Sequence, residues 1–278
     1  MKGSFLLMKK FFATAMLLAT MVFTGCGGGQ PADNAKAPAG DAPKKIVVGL
    51  DDEFPPMGFR DDKTNEIVGL DVDLAKAAAE KLGSEVEFKA IDWSSKEAEL
   101  KSGRVDVLWN GLDITEKRKE NMLFSDPYMD NKQIIFVRKG EANGIASEND
   151  LAGKIIGTQQ ASTAEEYFNS NENLKNSFKE LKTYGDYTSA FMDLENGRVD
   201  AIVGDEIVGR YAMSKQPEKY DAIDVAVGPV SQFGIAFAKE NTQLRDKVQK
   251  AFDEIIADGT AKKISEEWLG KDLIKAKN

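Results

Sequence analysis

Short apolar runs alternate with amphipathic segments from residue 46 onward. The run IVVGL at 46–50 is rich in β-branched residues and predicts a strand. In the next segment, 69–83, apolar residues recur every four positions at Leu70, Leu74, Ala78 and Leu82, which predicts a helix with one buried face. The same alternation predicts a strand at 85–91, a helix at 96–103 and a strand at 104–110. Strands that alternate with helices indicate a parallel α/β sheet.

The second half of the chain repeats this order of elements. It predicts strands at 154–159, 178–184 and 198–205, and helices at 162–170 and 189–197. A short phrase recurs as well, because SGRVD at 102–106 returns as NGRVD at 196–200. Taken alone, the pentapeptide could be explained by two unrelated turns between a helix and a strand that happen to have similar sequences. The shared context on both sides favours two lobes of one architecture, with a cleft at the carboxyl ends of their strands.

The N-terminal region carries an export signal. Lys9 and Lys10 precede an apolar run at 11–23, which has the length of a secretory signal core rather than of a membrane span. The residues FTGC that follow resemble a lipobox, in which Cys26 is acylated; an ordinary cleaved signal with a chance cysteine is the alternative. We therefore predict a lipoprotein signal peptide at 1–25, a flexible tether at 26–43 and an extracytoplasmic, lipid-anchored protein.

Composition narrows the chemistry. The 278 residues are 42% hydrophobic and 30% charged, with a net charge of −9, which is typical of a globular protein that does not bind nucleic acid. Histidine is absent and Cys26 is the single cysteine, so the sequence excludes nucleophilic triads with histidine and zinc sites with histidine or cysteine ligands. No metal and no cofactor is expected.

Several segments resemble the extracellular solute-binding proteins of family 3, which capture amino acids for ABC importers. The matching segments are FPPMGF (54–59), IVGLDVDLAKAAAEKL (67–82), DITEKRKENMLFSDPY (113–128), IIGTQQASTAEEY (155–167) and ENGRVDAIVGDE (195–206). The resemblance implies an α/β fold of the type II periplasmic-binding-protein (Venus-flytrap) kind, with two lobes and two hinge strands. We expect lobe 1 at 44–134 and 234–278, lobe 2 at 135–233, and the hinges near 134–138 and 232–237.

A free amino acid needs a cation for its carboxylate and an anion for its ammonium group. The guanidinium of Arg118 matches a carboxylate in geometry, and the resemblance assigns it that role together with Thr163. It assigns the ammonium group to Asp205 and the carbonyl of Gly111. The alternatives are a solvated helix charge for Arg118 and, for Thr163, a place in the predicted capping box SerThrAlaGlu at 162–165 without ligand contact.

The resemblance also predicts the ligand side-chain pocket. Phe54 would stack on the ligand and Asp51 would bind its polar end, although Phe54 could equally be a core residue. Asn110 and Trp109 end a predicted strand and could line the pocket, and Trp109 is as readily a buried residue.

Asp113 departs from the family, which commonly has Ser or Thr at this position. Its carboxylate could contact the ammonium group or could cap a short helix at 114–119. If Asp51, Asp113 and Asp205 all reach the cleft and Arg118 is its only cation, dicarboxylate ligands are disfavoured. A basic or neutral polar amino acid is the expected ligand.

These observations predict a monomeric receptor that binds a free L-amino acid and presents it to an ABC permease and its ATPase, and that is not an enzyme. Two alternatives stay open. Some relatives on this fold are dehydratases of the cyclohexadienyl or arogenate type, and others pass the closed state to a membrane sensor. Nothing in the sequence singles out a glutamate for acid catalysis, and the lipobox and tether favour transport.

Overall fold

A computed structural model describes residues 42–142 and 144–275. The predicted signal peptide, most of the tether and the acylation site Cys26 lie outside these ranges and stay predictions. Within them, no helix is both long enough and apolar enough to cross a membrane.

The elements alternate as the sequence predicts, with additional short strands. The strands are β1 (Lys45–Leu50), β2 (Glu53–Phe54), β3 (Gly58–Arg60), β4 (Ile67–Val68), β5 (Glu85–Ala90), β6 (Val107–Leu108), β7 (Met122–Phe124), β8 (Met129–Asn131), β9 (Gln133–Arg138), β10 (Ile155–Gln159), β11 (Glu180–Tyr184), β12 (Ala201–Asp205), β13 (Tyr220–Ile223), β14 (Ser231–Phe233) and β15 (Ala236–Ala238). The helices are α1 (Leu70–Leu82), α2 (Lys96–Lys101), α3 (Glu116–Asn121), α4 (Thr163–Ser170), α5 (Glu172–Ser177), α6 (Tyr187–Glu195), α7 (Glu206–Lys215), α8 (Thr242–Ala257) and α9 (Thr260–Leu269).

Two five-stranded sheets form the two lobes, and their strand orders correspond. The first sheet runs β5-β1-β6-β15-β7 and the second runs β11-β10-β12-β9-β13. The first three strands of each are parallel, as predicted, but β15 and β9 are antiparallel to both of their neighbours. The sheets are therefore mixed, because β9 and β15 are the strands that the chain forms after it crosses from the other lobe.

The crossing itself lies slightly earlier than the hinges predicted from sequence. Strands β8 and β14 pair with each other in a separate two-stranded sheet between the lobes. Residues 134–138 instead lie in β9, whose apolar run pairs on both edges inside the second sheet. Of the second predicted hinge, 232–233 lie in β14, whereas 236–237 lie in β15 of the first sheet. Strand β9 of the second sheet begins at Gln133, two residues before the predicted start of lobe 2. The exact limits of the two lobes stay a prediction.

The repeated phrase GRVD makes the same joint in both lobes. In the first copy, the Asp106 carboxylate accepts the Val47 N–H at 2.7 Å, and the Asp106 N–H donates to the Val47 carbonyl at 2.8 Å. In the second, Asp200 makes both bonds to Ile155, each at 2.7 Å. The glycine three positions earlier has a φ of 71° in one copy and 70° in the other. The repeat therefore fixes the start of the central strand of each sheet and lies away from the cleft.

Candidate functional site

The strands of both sheets end at the contact between the lobes. Asp51 follows β1 and Asn110 follows β6 in the first lobe, while Gln159 ends β10 and Asp205 ends β12 in the second. All four side chains are buried, with 1–6% of their surface exposed. The geometry thus places polar groups from both lobes at the edge where α/β folds bind ligands.

Arg118 is buried at this contact, so the alternative of a solvated helix charge is wrong. It lies on α3, whose N-cap is Thr115, and only 2% of its surface is exposed. Its Nη1 donates to the Asp113 carbonyl at 3.0 Å, and its Nε and Nη2 donate to Oε1 of Glu166 in the second lobe at 3.3 and 3.1 Å. Nη2 also donates to the Ala161 carbonyl at 3.3 Å. The guanidinium therefore already binds a carboxylate across the lobes, in the manner the sequence predicts for a ligand.

The loop before α4 has an unusual backbone. Ala161 adopts a left-handed φ of 55°, which a side chain disfavours. Ser162 caps α4 by accepting the Glu165 N–H at 3.1 Å, but the Glu165 carboxylate accepts from Ala161 rather than from Ser162, so the predicted capping box is only half formed. The Thr163 hydroxyl is not part of the cap and donates to Oδ2 of Asp113 in the first lobe at 2.6 Å.

Asp113 does not cap a helix, because Thr115 takes that position and α3 begins at Glu116. Its carboxylate is 3% exposed and accepts from Thr163, from the Ser231 hydroxyl at 2.6 Å and from the Asn131 amide at 3.0 Å. The departure from the family therefore lies inside the contact between the lobes.

Asp205 lies beside Asp113. Its Oδ1 accepts from the side-chain amides of Asn131 at 2.5 Å and Gln133 at 2.7 Å. Burial, together with the nearby Asp113 charge, raises the pKa of Asp205 to about 7.

Asp51 joins the lobes at another point. Its Oδ2 accepts from Gln159 at 2.6 Å, and burial raises its pKa to about 7. Nearby, the Phe54 ring lies 6.0 Å from the Tyr187 ring of the second lobe. Phe54 is buried in the core, as the alternative held, and a stacking role stays a prediction. Asn110 accepts the Asp51 N–H at 3.0 Å through Oδ1, while its Nδ2 is buried without a partner among the described residues.

Gly111 is held by Asp71, which lies in the first turn of α1. The fully buried Asp71 of α1 accepts the Gly111 N–H at 2.7 Å and the Tyr128 hydroxyl at 2.8 Å. Gly111 has a φ of 56°, and an added Cβ would lie 2.9 Å from the Phe54 ring. Trp109 packs at 5.4 Å from the Phe252 ring and is a core residue.

A second cation lies near Arg118, which corrects the expectation that Arg118 is the only one. Lys96 of α2 is 2% exposed and donates to the Ala161 carbonyl across the lobes at 2.9 Å and to the Trp93 carbonyl at 3.3 Å. Burial and the neighbouring Arg118 charge lower the pKa of Lys96 to about 7.

Sequence reasoning missed several groups at this site. They are Asp71, Lys96, Asn131, Gln133, Gln159, Glu166, Tyr187 and Ser231. A signal existed for Gln159, which ends an apolar strand as Asp205 does, and for Gln133, which begins one. No group of acidic, histidine or cysteine side chains in the described part of the chain could hold a metal ion.

Comparison with known proteins agrees with this geometry. The model of the bacterial extracellular solute-binding proteins, family 3, matches residues 46–271. ABC transporter arginine-binding protein 1 of Escherichia coli K12 is 33% identical over 82% of this chain and 92% of its own.

Solved structures show the same two-lobed fold. A histidine-bound substrate-binding protein of an ABC uptake transporter from Streptococcus pneumoniae has a TM-score of 0.79 and 35% identity, over 84% of this chain and 95% of its own. An ancestral arginine-binding protein bound to arginine has a TM-score of 0.76 and 39% identity, over 82% of this chain and 100% of its own. These relatives are binding proteins rather than enzymes, which disfavours the dehydratase alternative. The chain belongs to the bacterial extracellular solute-binding proteins of family 3.

Proposed function

We propose that this protein binds a free polar amino acid between its lobes and delivers it to the permease of an ABC importer. The observation that carries the proposal is that Arg118 of α3 and Asp205 at the end of β12, a cation and an acid from facing lobes, are both buried at the contact between the lobes. The relatives named above bind arginine or histidine, which supports the same class of ligand.

The carboxylate of the ligand would bind Arg118 and the Thr163 hydroxyl. Both groups contact carboxylates in this structure, Arg118 through Glu166 and Thr163 through Asp113. The same donors suit a ligand carboxylate, with each charge-assisted bond contributing about 1.5–3 kcal/mol.

The ammonium group would bind the carboxylate of Asp205 and the carbonyl of Gly111. Asp71 supports this role indirectly, because its hydrogen bond to the Gly111 N–H holds that peptide in place. Asp51, Phe54 and Asn110 would line the pocket for the ligand side chain, next to Tyr187 of the second lobe.

The charges at the contact favour a basic ligand. Four carboxylates lie there, namely Asp51, Asp113, Asp205 and Glu166, and two cations, Arg118 and Lys96. A ligand with a positive side chain offsets this negative excess, whereas glutamate or aspartate increases it. We therefore expect arginine, lysine or histidine first, then neutral polar amino acids.

A thermal-shift screen of the twenty amino acids tests the ligand class, because a ligand that binds only the folded chain raises the melting temperature. We expect basic amino acids to give the largest shifts and glutamate and aspartate the smallest. Tight binding of a dicarboxylate in calorimetry would contradict the charge argument.

Substitution of Arg118 tests the site itself. Arg118→Lys keeps the charge but loses the planar fork, so we expect affinity for the bound amino acid to fall about 10- to 100-fold, the equivalent of one charge-assisted bond. The matched control is Arg104→Lys, since Arg104 is an exposed lobe 1 residue paired with Glu99. Equal affinity of the Arg118 variant and the wild type would refute the assignment.

We also propose that acylated Cys26 tethers the protein, as a monomer, to the outer face of the cytoplasmic membrane or to the cell surface. The family is extracellular, which agrees with an exported location. Fractionation of cells that express Cys26→Ser should find the protein released from the membrane.

A further inference from the structure

Asp113 and Asp205 come from different lobes but lie side by side. The side-chain amide of Asn131 donates to Asp113 at 3.0 Å and to Asp205 at 2.5 Å. The amide of Gln133 also reaches both carboxylates, at 3.5 and 2.7 Å. Each amide carries two N–H groups, so each can bridge the pair. These amides come from β8 and β9, where the chain passes from one lobe to the other.

Few charges face the pair. Arg118 donates to the Asp113 carbonyl and lowers the pKa of Asp205, but it is also bound to Glu166. Tyr128 and Tyr187 face the pair, and burial raises the pKa of both phenols, so they stay neutral near pH 7.

Among the residues that the structure describes, the remaining neighbours of the pair add no free charge. Ser231 and Thr163 donate neutral hydroxyl groups to Asp113. The residues that follow Asn131 and Asp205 along the chain, Lys132 and Glu206, pair with each other at 3.5 Å. Asp113 and Asp205 thus have Arg118 as their neighbouring cation, and its guanidinium also binds Glu166.

Two buried carboxylates in contact with the same donors cannot both ionise without a cost in free energy. Asp205 shows the effect, since burial and the charge of Asp113 bring its pKa to about 7. A ligand ammonium group would reverse this effect, because a second positive centre next to the pair favours the doubly ionised state.

We propose that Asp113 and Asp205 form one acidic pair that holds a proton when no ligand is bound and releases it to solvent when an ammonium group binds. The proposal rests on the proposed function and adds a role for Asp113, which makes ligand binding dependent on pH. The ammonium nitrogen donates its hydrogen bonds to the ionised pair, and the displaced proton passes to the buffer.

The size of the effect follows from linkage. With a pKa near 7, Asp205 in the free protein holds about half a proton at pH 7, so binding should release about half a proton there and nearly one at pH 6. The affinity should therefore be about tenfold weaker at pH 6 than at pH 8 through this pair alone.

Calorimetry of L-arginine binding to the full chain, in buffers with different ionisation enthalpies, measures the protons released. The informative comparison is between the wild type and Asp113→Ser, because Asp51 and Lys96 also titrate near pH 7 and contribute to the total. In Asp113→Ser we expect fewer protons to be released at pH 7 and a smaller change in affinity between pH 6 and 8, because the Asp113 charge no longer raises the pKa of Asp205 while burial still does.

The matched control is Asp51→Asn, which alters the other buried carboxylate that contacts the facing lobe. Adding Asp113→Ser in that background should lower the proton release by the same amount. If Asp113→Ser is poorly folded by circular dichroism, the isosteric Asp113→Asn replaces it with the same expectation. Unchanged proton release in a variant that binds arginine would overturn the proposal. Absence of binding of any amino acid by the wild type would instead reject the proposed function.

Discussion

Ala161 shows how one residue can be strained and still be useful. Its left-handed φ of 55° costs an L-residue about 1–2 kcal/mol. The same conformation turns its carbonyl toward the first lobe, where it accepts from both Lys96 and Arg118. The strain therefore lies at a backbone position whose carbonyl binds two buried cations of the first lobe, Lys96 and Arg118.

Replacement of Ala161 by glycine should relieve this strain. Glycine adopts the conformation freely but has a more flexible unfolded chain, which costs about 0.4–1 kcal/mol, so we expect a net gain of up to about 1 kcal/mol in unfolding free energy. Urea denaturation measures it. The matched control is Ala164→Gly in α4, where a buried helical position should lose about 1 kcal/mol or more. A less stable Ala161→Gly protein would show that the left-handed conformation is not strained.

At the scale of elements, packing can override helix propensity, and α7 is an example. Gly209 lies inside this helix against the buried ring of Phe136 in β9. A Cβ at this position would lie 1.9 Å from Cζ of the ring. From the sequence, Gly209 is only a residue with low helix propensity. The close approach of α7 to the sheet depends on tertiary packing, which local propensities do not specify.

Gly209→Ala should therefore destabilise the protein although alanine is the better helix former. We expect a loss of about 1–3 kcal/mol from overpacking, where propensity alone would give a gain of about 1 kcal/mol. The control is Gly185→Ala, since a Cβ there meets no atom within 4 Å and the backbone is not left-handed. Thermal unfolding of both variants distinguishes the two effects, and a more stable Gly209→Ala protein would contradict the packing argument.

At the scale of the whole molecule, the fold buries acids whose protonation is linked to stability. Asp51 and Asp71 both have a pKa of about 7 in the folded chain, raised by burial from 3.8. At a pH between 3.8 and about 7, each of these carboxyl groups holds a proton in the folded chain that it has released in the unfolded chain. The stability that each group contributes is thus present at acidic pH and is lost as pH rises from about 4 to about 7.

Asp51→Asn should flatten this dependence. We expect the slope of unfolding free energy against pH, measured by urea denaturation between pH 5 and 7, to become less negative by up to about 1.4 kcal/mol per pH unit. Asp221→Asn is the control, because Lys139 lowers the pKa of that exposed carboxyl and it stays ionised over this range. An unchanged slope in Asp51→Asn would show that this carboxyl is ionised in the folded protein.

The sequence was sufficient to predict that several polar residues of the candidate site lie at strand ends, because strand ends are local features. Asp51, Asn110 and Asp205 each end or follow a predicted strand, and the topology of an α/β sheet brings such ends to one edge. Arg118 needed the resemblance to the family, since nothing local distinguishes it from the exposed Lys117.

By itself, the sequence determined the order of the elements, the duplicated lobe and the N-terminal signal prediction, because hydrophobic periodicity and turn residues act over a few positions. Only the tertiary structure decided which charges meet. Asp113 could have capped a helix, but the crossing strands bring it to Asp205 through Asn131 and Gln133. Such contacts join residues up to about a hundred positions apart, and burial by distant segments sets the pKa values of these residues. Local sequence patterns therefore do not predict them.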